Sequence, residues 1–267
     1  MPHLSGCGLS ENWLLKELGH RHWTMLAETA GSEGPDFRDE EGRPVYAAFC
    51  AVRLGDARLE LGAENGRLVI RSALRRVSRT QIESRHELLI DGRAAGTLEM
   101  ISTFIKRTGR GNHCVARVAL DGLMPVDPAP SELAALAASL RSKRLSRHLG
   151  FDLAADTRGI AEFTFDPCPE QDFNGAGFLY FPSFPAFVDR AEWQIDRHRA
   201  SLAGRETFYY GNVDPGEDIR VILVGEQPDA GARLWRIERT GSRSLLAEIF
   251  TRRAERPERR EAPVSLR

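Results

Sequence analysis

Apolar positions along the chain follow two rhythms, and each rhythm occurs in both halves. In residues 10–18, Leu14 and Leu18 share a face at i, i+4 spacing, which predicts a short helix. Ser10 offers an oxygen to a free backbone N–H of the first turn, Glu11 complements the positive helix end, and Gly19 is a natural stop. Far downstream, Phe184, Phe187, Val188 and Ala191 fall on one stripe at i, i+3, i+4 and i+7, which predicts a second helix. Pro182 and Pro185 stand at the start of that stripe, so this helix is expected to be kinked or to begin late.

Strand patterns follow each helix. Residues 45–52 form a continuous apolar run, and residues 58–61 and 67–70 flank Asn65 and Gly66, which predicts a hairpin. Residues 77–90 and 94–107 read as long strands around Asp91 and Gly92, with one more strand over 113–120. In the second half, residues 159–165 alternate, and further strands are expected over 206–211, 218–225, 232–240 and 243–252. Residues 99–107 and 246–253 also read alike. Between the halves, the prolines of residues 124–130 cannot continue a sheet, and the Ala/Leu-rich residues 131–145, opening on Ser131 and Glu132, predict a connecting helix.

One helix followed by a run of antiparallel strands, used twice, predicts an α+β double hot-dog fold, each half an antiparallel sheet wrapped around a central helix. A less specialised α+β protein with two similar helices is the alternative. The expected division is an N-terminal domain over 1–123, a linker with a helix over 124–157, a C-terminal domain over 158–253 and a fraying charged tail over 254–267.

Composition narrows the function. The 267 residues are 42% hydrophobic, enough for a core, and 37 basic residues nearly balance 38 acidic ones, which gives no reason to expect nucleic acid as a partner. Four scattered cysteines form no CxxC pair, so neither a metal site nor a disulfide framework is expected, and a reducing cytoplasm suits the chain. No signal peptide and no run approaching the roughly 20 apolar residues of a membrane span is evident.

In the expected fold both helix N-termini face the seam between the halves, where free N–H groups hold an oxyanion. Gly8, Leu9 and Ser10 at one mouth, and Asn174, Gly175 and Gly177 at the other, are therefore candidate thioester-binding residues. A capping serine and ordinary turn glycines are the plainer reading. Ala176 stands where a hydratase or thioesterase motif often carries His, and Asp172 sits before the turn. His20 and His22 are expected as cap or surface residues at the far end of the first helix. No GxSxG elbow and no cysteine in a nucleophile setting is present. Lys106, Arg107 and Arg110 in a glycine-containing turn are candidates for coenzyme A phosphates, against a solvated hairpin tip, with Arg75, Arg76 and Arg79 as a competing cluster. Phe49, Phe104, Phe178 and Phe181 could line an apolar seam.

Residues 8–17 and 173–181 resemble the paired signatures of a small family of biosynthetic double-hot-dog proteins, that of the bifunctional acyltransferase/decarboxylase of leinamycin biosynthesis, over nearly the whole chain. The resemblance implies methylmalonyl-CoA or a similar malonyl thioester as substrate, decarboxylation to a propionyl thioester, and transfer to an acyl carrier protein. It implies no cofactor beyond the coenzyme A thioester itself. It further implies an active-site tyrosine, and Tyr46 is the match, against a core tyrosine on a buried strand. Its unperturbed pKa of about 10 makes it a poor nucleophile without a nearby cation. Asp172 or Glu17 keeps a thioesterase in contention, the missing His weighs against a dehydratase, and a non-catalytic thioester-binding module is the third reading. A monomer or a homodimer fits the fold.

Overall fold

The structure, a computed structural model, describes residues 3–119, 127–154, 159–197 and 200–254. Leu120, Met124, Arg158 and the tail beyond Ala254 lie outside the described residues.

Helix α1 spans Glu11–Thr29 and is followed by strands β1 (Pro44–Gly55), β2 (Leu68–Arg76), β3 (Gln81–Ile90), β4 (Arg93–Arg107) and the short β5 (Val115–Arg117). Helix α2 (Glu132–Arg141) connects to β6 (Ala161–Phe165), helix α3 (Ser183–Ile195) and strands β7 (Leu202–Tyr209), β8 (Ile219–Gln227), β9 (Ala232–Arg239) and β10 (Leu245–Arg253). The strands join in one eleven-stranded sheet, ordered β6-β8-β9-β10-β7-β1-β4-β3-β2, with β5 beside β4 and the two-residue strand Phe37–Arg38 beside β1. The order β1-β4-β3-β2 is repeated as β7-β10-β9-β8 about the β1–β7 junction. The chain therefore has the double hot-dog arrangement.

Local signals account for most elements. Ser10 caps α1 by accepting a bond from the Trp13 N–H at 3.3 Å, and Ser131 caps α2 from Ala134 at 3.1 Å. Helix α3 begins late, at Ser183, which places Pro185 in the first turn, where no N–H is needed. Two sequence expectations fail. Gly19 does not stop α1, which continues ten residues further, to Thr29. The Asn65–Gly66 pair does not join a hairpin: residues 59–61 form a 3-10 turn, and β2 instead pairs β3 from Leu68↔Ile90 to Arg76↔Ile82. Asn65 takes the left-handed conformation (φ 63°) within a loop, held where Arg67 N–H donates to Asp91.

The sheet has helices on both faces. On one side, Leu14, Leu18, Phe184, Phe187 and Val188 of α1 and α3 pack with Val52, Met100 and Ile249. On the other, Leu133 and Leu140 of α2 pack with Ala51, Ile101 and Phe250. Consecutive strand residues point to opposite faces, so Met100 and Ile101 separate the two cores. The likeness of residues 99–107 and 246–253 is consequently one of composition more than of register. Phe104 packs under α1 with Leu26 and Ala27, whereas Phe250 faces α2. Among the described residues no helix is long and apolar enough to cross a membrane.

The mouth of α1 is filled by charge. Arg205 donates to Glu11 and to Asp189, each at 2.8 Å, and Arg253 donates to Glu192. Burial raises the Glu11 carboxyl to about 7, against the pull of Arg205.

Candidate active site at the seam

The two halves share only a short stretch of backbone pairing. Residues 51–54 of β1 pair with 205–208 of β7, and beyond that point the strands part. Cys50 marks the place: it is a bulge in the β1–β4 ladder, where the register shifts between Phe49 and Ala51. Into the opening fits a cavity of about 880 Å³, lined by Tyr46, Phe49 and Cys50 on one side and by Tyr209, Tyr210 and Asn212 on the other. It reaches both faces of the sheet, touching Gly19, His20 and Trp23 of α1 and Arg141 of α2. Among the described residues no Asp or Glu lines it.

One wall is the turn before α3. The Asn174 Oδ1 accepts from the N–H groups of Ala176 and Phe178, each at 3.1 Å, while its carbonyl accepts from Gly177 at 2.8 Å. Gly177 takes φ 74°, the left-handed conformation that a glycine adopts without strain. With Oδ1 committed to the turn, Nδ2 is the donor left to the cavity. It and the Gly175 N–H have no acceptor among the described residues, and both Asn174 and Gly175 line the cavity.

The first half clamps this turn. Arg107 Nη2 donates to the Ala176 carbonyl and to Asn112 Oδ1, both at 2.7 Å, and its guanidinium lies 4.2 Å over the Phe178 ring. Buried Asn112 donates to the carbonyls of Gly177 (2.6 Å) and Val213 (2.7 Å), and its N–H donates to Asp214 Oδ1 at 2.8 Å. The next residue, His113, is on the rim of the cavity, with Nδ1 3.8 Å from Asp214 Oδ2. Sequence reading missed both residues. A basic, glycine-containing turn was visible, but nothing in the spacing ties Asn112 to Gly177, 65 residues away.

The remaining candidates divide. Tyr46, Asn174, Gly175 and Ala176 line the cavity. Tyr46 stacks edge-on against Phe178 at 5.5 Å, with the Arg107 guanidinium 5.8 Å from its ring centre, so a cation does stand beside it. Gly177 stands just behind the lining, held by Asn112. Gly8, Leu9 and Ser10 lie elsewhere: a Cβ on Gly8 would meet the Leu59 carbonyl at 2.2 Å, Leu9 is in the core, and Ser10 is occupied as a cap. The reason is the length of α1, which brings its middle, not its mouth, to the seam. Lys106 is paired with Asp39 at 2.8 Å, Arg107 is spent on the turn, and Arg110 is exposed and off the cavity. Arg75 pairs with Glu83 at 2.6 Å and Arg76 donates to the Ser78 carbonyl. Asp172 is buried off the cavity, accepting from Cys168 N–H at 2.9 Å, and Glu17 pairs with Arg21 at 3.2 Å. Phe49, Phe178 and Phe181 line the cavity, whereas Phe104 does not.

His20 lines the cavity from the exposed side of α1, but His22 is no surface residue. It is fully buried under α1 in a chain of five groups. Ser102 Oγ meets His22 Nε2 at 2.8 Å, His22 Nδ1 meets Ser84 at 2.7 Å, and Ser84 meets His86 Nε2 at 2.9 Å. His86 Nδ1 then meets Ser72 at 2.8 Å. Burial lowers the His22 pKa to about 3 and that of His86 to about 4.

Among the described residues no cluster of His, Cys, Asp or Glu suits a metal ion. No family model and no curated protein matches the sequence. Solved structures do. An acyl-ACP thioesterase from Bacteroides thetaiotaomicron aligns with 94% of this chain and 92% of its own at 10% identity, with a TM-score of 0.64. The 12:0-ACP thioesterase from Umbellularia californica aligns over the same shares, 94% and 92%, at 8% identity and a TM-score of 0.67. At these identities the likeness is one of fold.

Proposed function

We propose that the protein hydrolyses an acyl thioester carried on coenzyme A or an acyl carrier protein. The observation that carries this reading is the Asn174 turn: Asn174, with an uncommitted amide donor, and Gly175, with an uncommitted N–H, line a large cavity whose aromatic part, Trp23, Phe49, Phe181 and Phe184, suits an acyl chain. The thioester carbonyl would rest against Asn174 Nδ2 and the Gly175 N–H, which stabilise the oxyanion as water adds. His113 takes the role that the turn itself does not supply at Ala176. Asp214 Oδ2, 3.8 Å from Nδ1, is near enough to favour a positive charge on the ring as His113 accepts the proton of the attacking water. The fold shared with two acyl-ACP thioesterases supports the same substrate class.

A second reading rests on Tyr46. Its position in the cavity beside Arg107 suits decarboxylation of a malonyl thioester, with the hydroxyl orienting the carboxylate or protonating the enolate and transfer to a carrier protein following. One assay separates the two. Acyl-CoA and acyl-carrier substrates of several lengths, and methylmalonyl-CoA, are each incubated with the protein, and products are followed by mass. Free acid and thiol, lost in His113→Ala, support hydrolysis. Propionyl-CoA from methylmalonyl-CoA supports decarboxylation, and no turnover of any substrate leaves a binding module and overturns both.

A further inference from the structure

The part of the cavity on the α2 side has a different chemistry from the aromatic part under α1. Ile105 pairs with Tyr46 on one side and with Arg117 on the other, so these three lie in one cross-strand row. Two residues along β4, Thr103 pairs with Ala48 and Gln81, and this row points the same way. Tyr46, Ala48, Thr103, Ile105 and Arg117 all line the cavity, and Arg141 of α2 lines it with them. The Arg141 guanidinium sits 5.1 Å over the Tyr210 ring while one nitrogen donates to the Tyr209 carbonyl at 2.6 Å.

Two features here favour an anion. Thr103 is only 6% exposed, and its hydroxyl has no hydrogen-bond partner. A buried hydroxyl left so carries a desolvation cost, which a ligand oxygen would offset. Arg117 and Arg141 have no carboxylate partner among the described residues, and the positive charge of both acts on the neighbouring Cys50 thiol, whose pKa burial pushes up. The wall thus offers two guanidinium groups and a buried hydroxyl, and no acid.

We infer that this α2-side lobe is an oxyanion subsite, in which Arg117, Arg141 and Thr103 hold a carboxylate or phosphate group of the ligand. The inference rests on the thioester reading and adds to it. The acyl chain lies in the aromatic lobe, the carbonyl at Asn174, and a negative group across the seam. Two sources share that chemistry: the phosphate of a pantetheine carrier, and a carboxylate borne by the acyl group.

Three non-hydrolysable thioethers distinguish them: S-decyl-pantetheine, its 4′-phosphate, and the pantetheine thioether of a decyl chain ending in a carboxylate. Binding of each is measured by calorimetry to the full chain and to Arg117→Gln, Thr103→Val and Arg117→Gln/Arg141→Gln, with melting curves to verify folding. At least one anionic thioether is expected to bind the parent about tenfold more tightly than the neutral one, the order of a single charge-assisted contact. Arg117→Gln and Thr103→Val should each narrow that gap, and the double variant should close it. The tighter anion names the source. Equal binding of all three thioethers overturns the subsite and leaves the thioester reading standing. Failure of all three to bind overturns both.

Discussion

The Phe181 ring lies directly on the backbone of Gly19: a Cβ built on the glycine would stand 2.8 Å from the ring's Cε1. A residue of α1 and a residue just before α3 thus meet at the seam, where only hydrogen fits between them. Gly19→Ala sets two effects against each other. The helix interior gains about 1 kcal/mol, while the crowded ring costs about 1–3 kcal/mol. Phe181 also packs on Phe49 at 4.5 Å, so it has little room to withdraw except into the cavity. The expected outcome is a small net loss of stability in urea unfolding and a drop in kcat/KM that is steepest for the longest acyl chains. An unchanged chain-length profile would refute the contact's role.

Asn174→Asp separates the turn from the chemistry. The carboxylate still accepts the N–H bonds of Ala176 and Phe178, so the loop should keep its shape. The amide donor is gone and a negative charge faces the developing oxyanion. A fall of about 10²–10³ in kcat, with the melting temperature nearly unchanged, is expected.

Tyr46→Phe keeps the ring against Phe178 and removes only the hydroxyl. If the cavity hydrolyses thioesters, the rate of thiol release should change little. Loss of propionyl-CoA formation in this variant would instead favour the decarboxylase.

Much of this was legible in the chain. Serine caps, the stripe from Phe184 to Ala191 and the turn at Asp91 and Gly92 are local chemistry, and each landed where the pattern put it. Gly19 misled because its meaning is tertiary. It reads as a helix stop, yet it is a notch for an aromatic ring of the other half. Asn65 misled differently: it does sit in a turn, with φ 63°, but no strand precedes it to make the expected hairpin, and the strand after it pairs with β3. In the site, the Asn174 turn could be read because its glycines and amide are contiguous. Asn112 and His113 could not, since their partners Gly177 and Asp214 are set by how the halves dock.

The buried histidine pair gives a pH dependence of defined sign. His22 and His86 stay neutral in the folded protein, with pKa lowered by burial to about 3 and about 4. In the unfolded chain they titrate near 6.5. As pH falls below about 6.5 the unfolded state takes up protons that the folded state does not. Stability therefore falls, by up to about 1.4 kcal/mol per pH unit for each residue, until the folded pKa is reached. Glu11 acts in the opposite direction between about 4.5 and 7, since its raised pKa favours the protonated folded state. Comparing parent and His22→Gln/His86→Gln isolates the histidines. Urea unfolding free energies at pH 7 and pH 5 should differ less in the double variant, and an identical difference would disprove the buried neutral pair.

The short ladder at the β1–β7 junction ends beside the Cys50 bulge, and its end sets where the opening begins. Strand residues advance about 3.3 Å each, so every further pair closed beyond Ala51 and Phe208 would shorten the opening by that amount, and every pair opened would lengthen it. The reach of the site is thereby counted in backbone steps as well as in side-chain volumes. An insertion or deletion at the Cys50 bulge is expected to change the length of ligand accepted while leaving the Asn174 turn untouched.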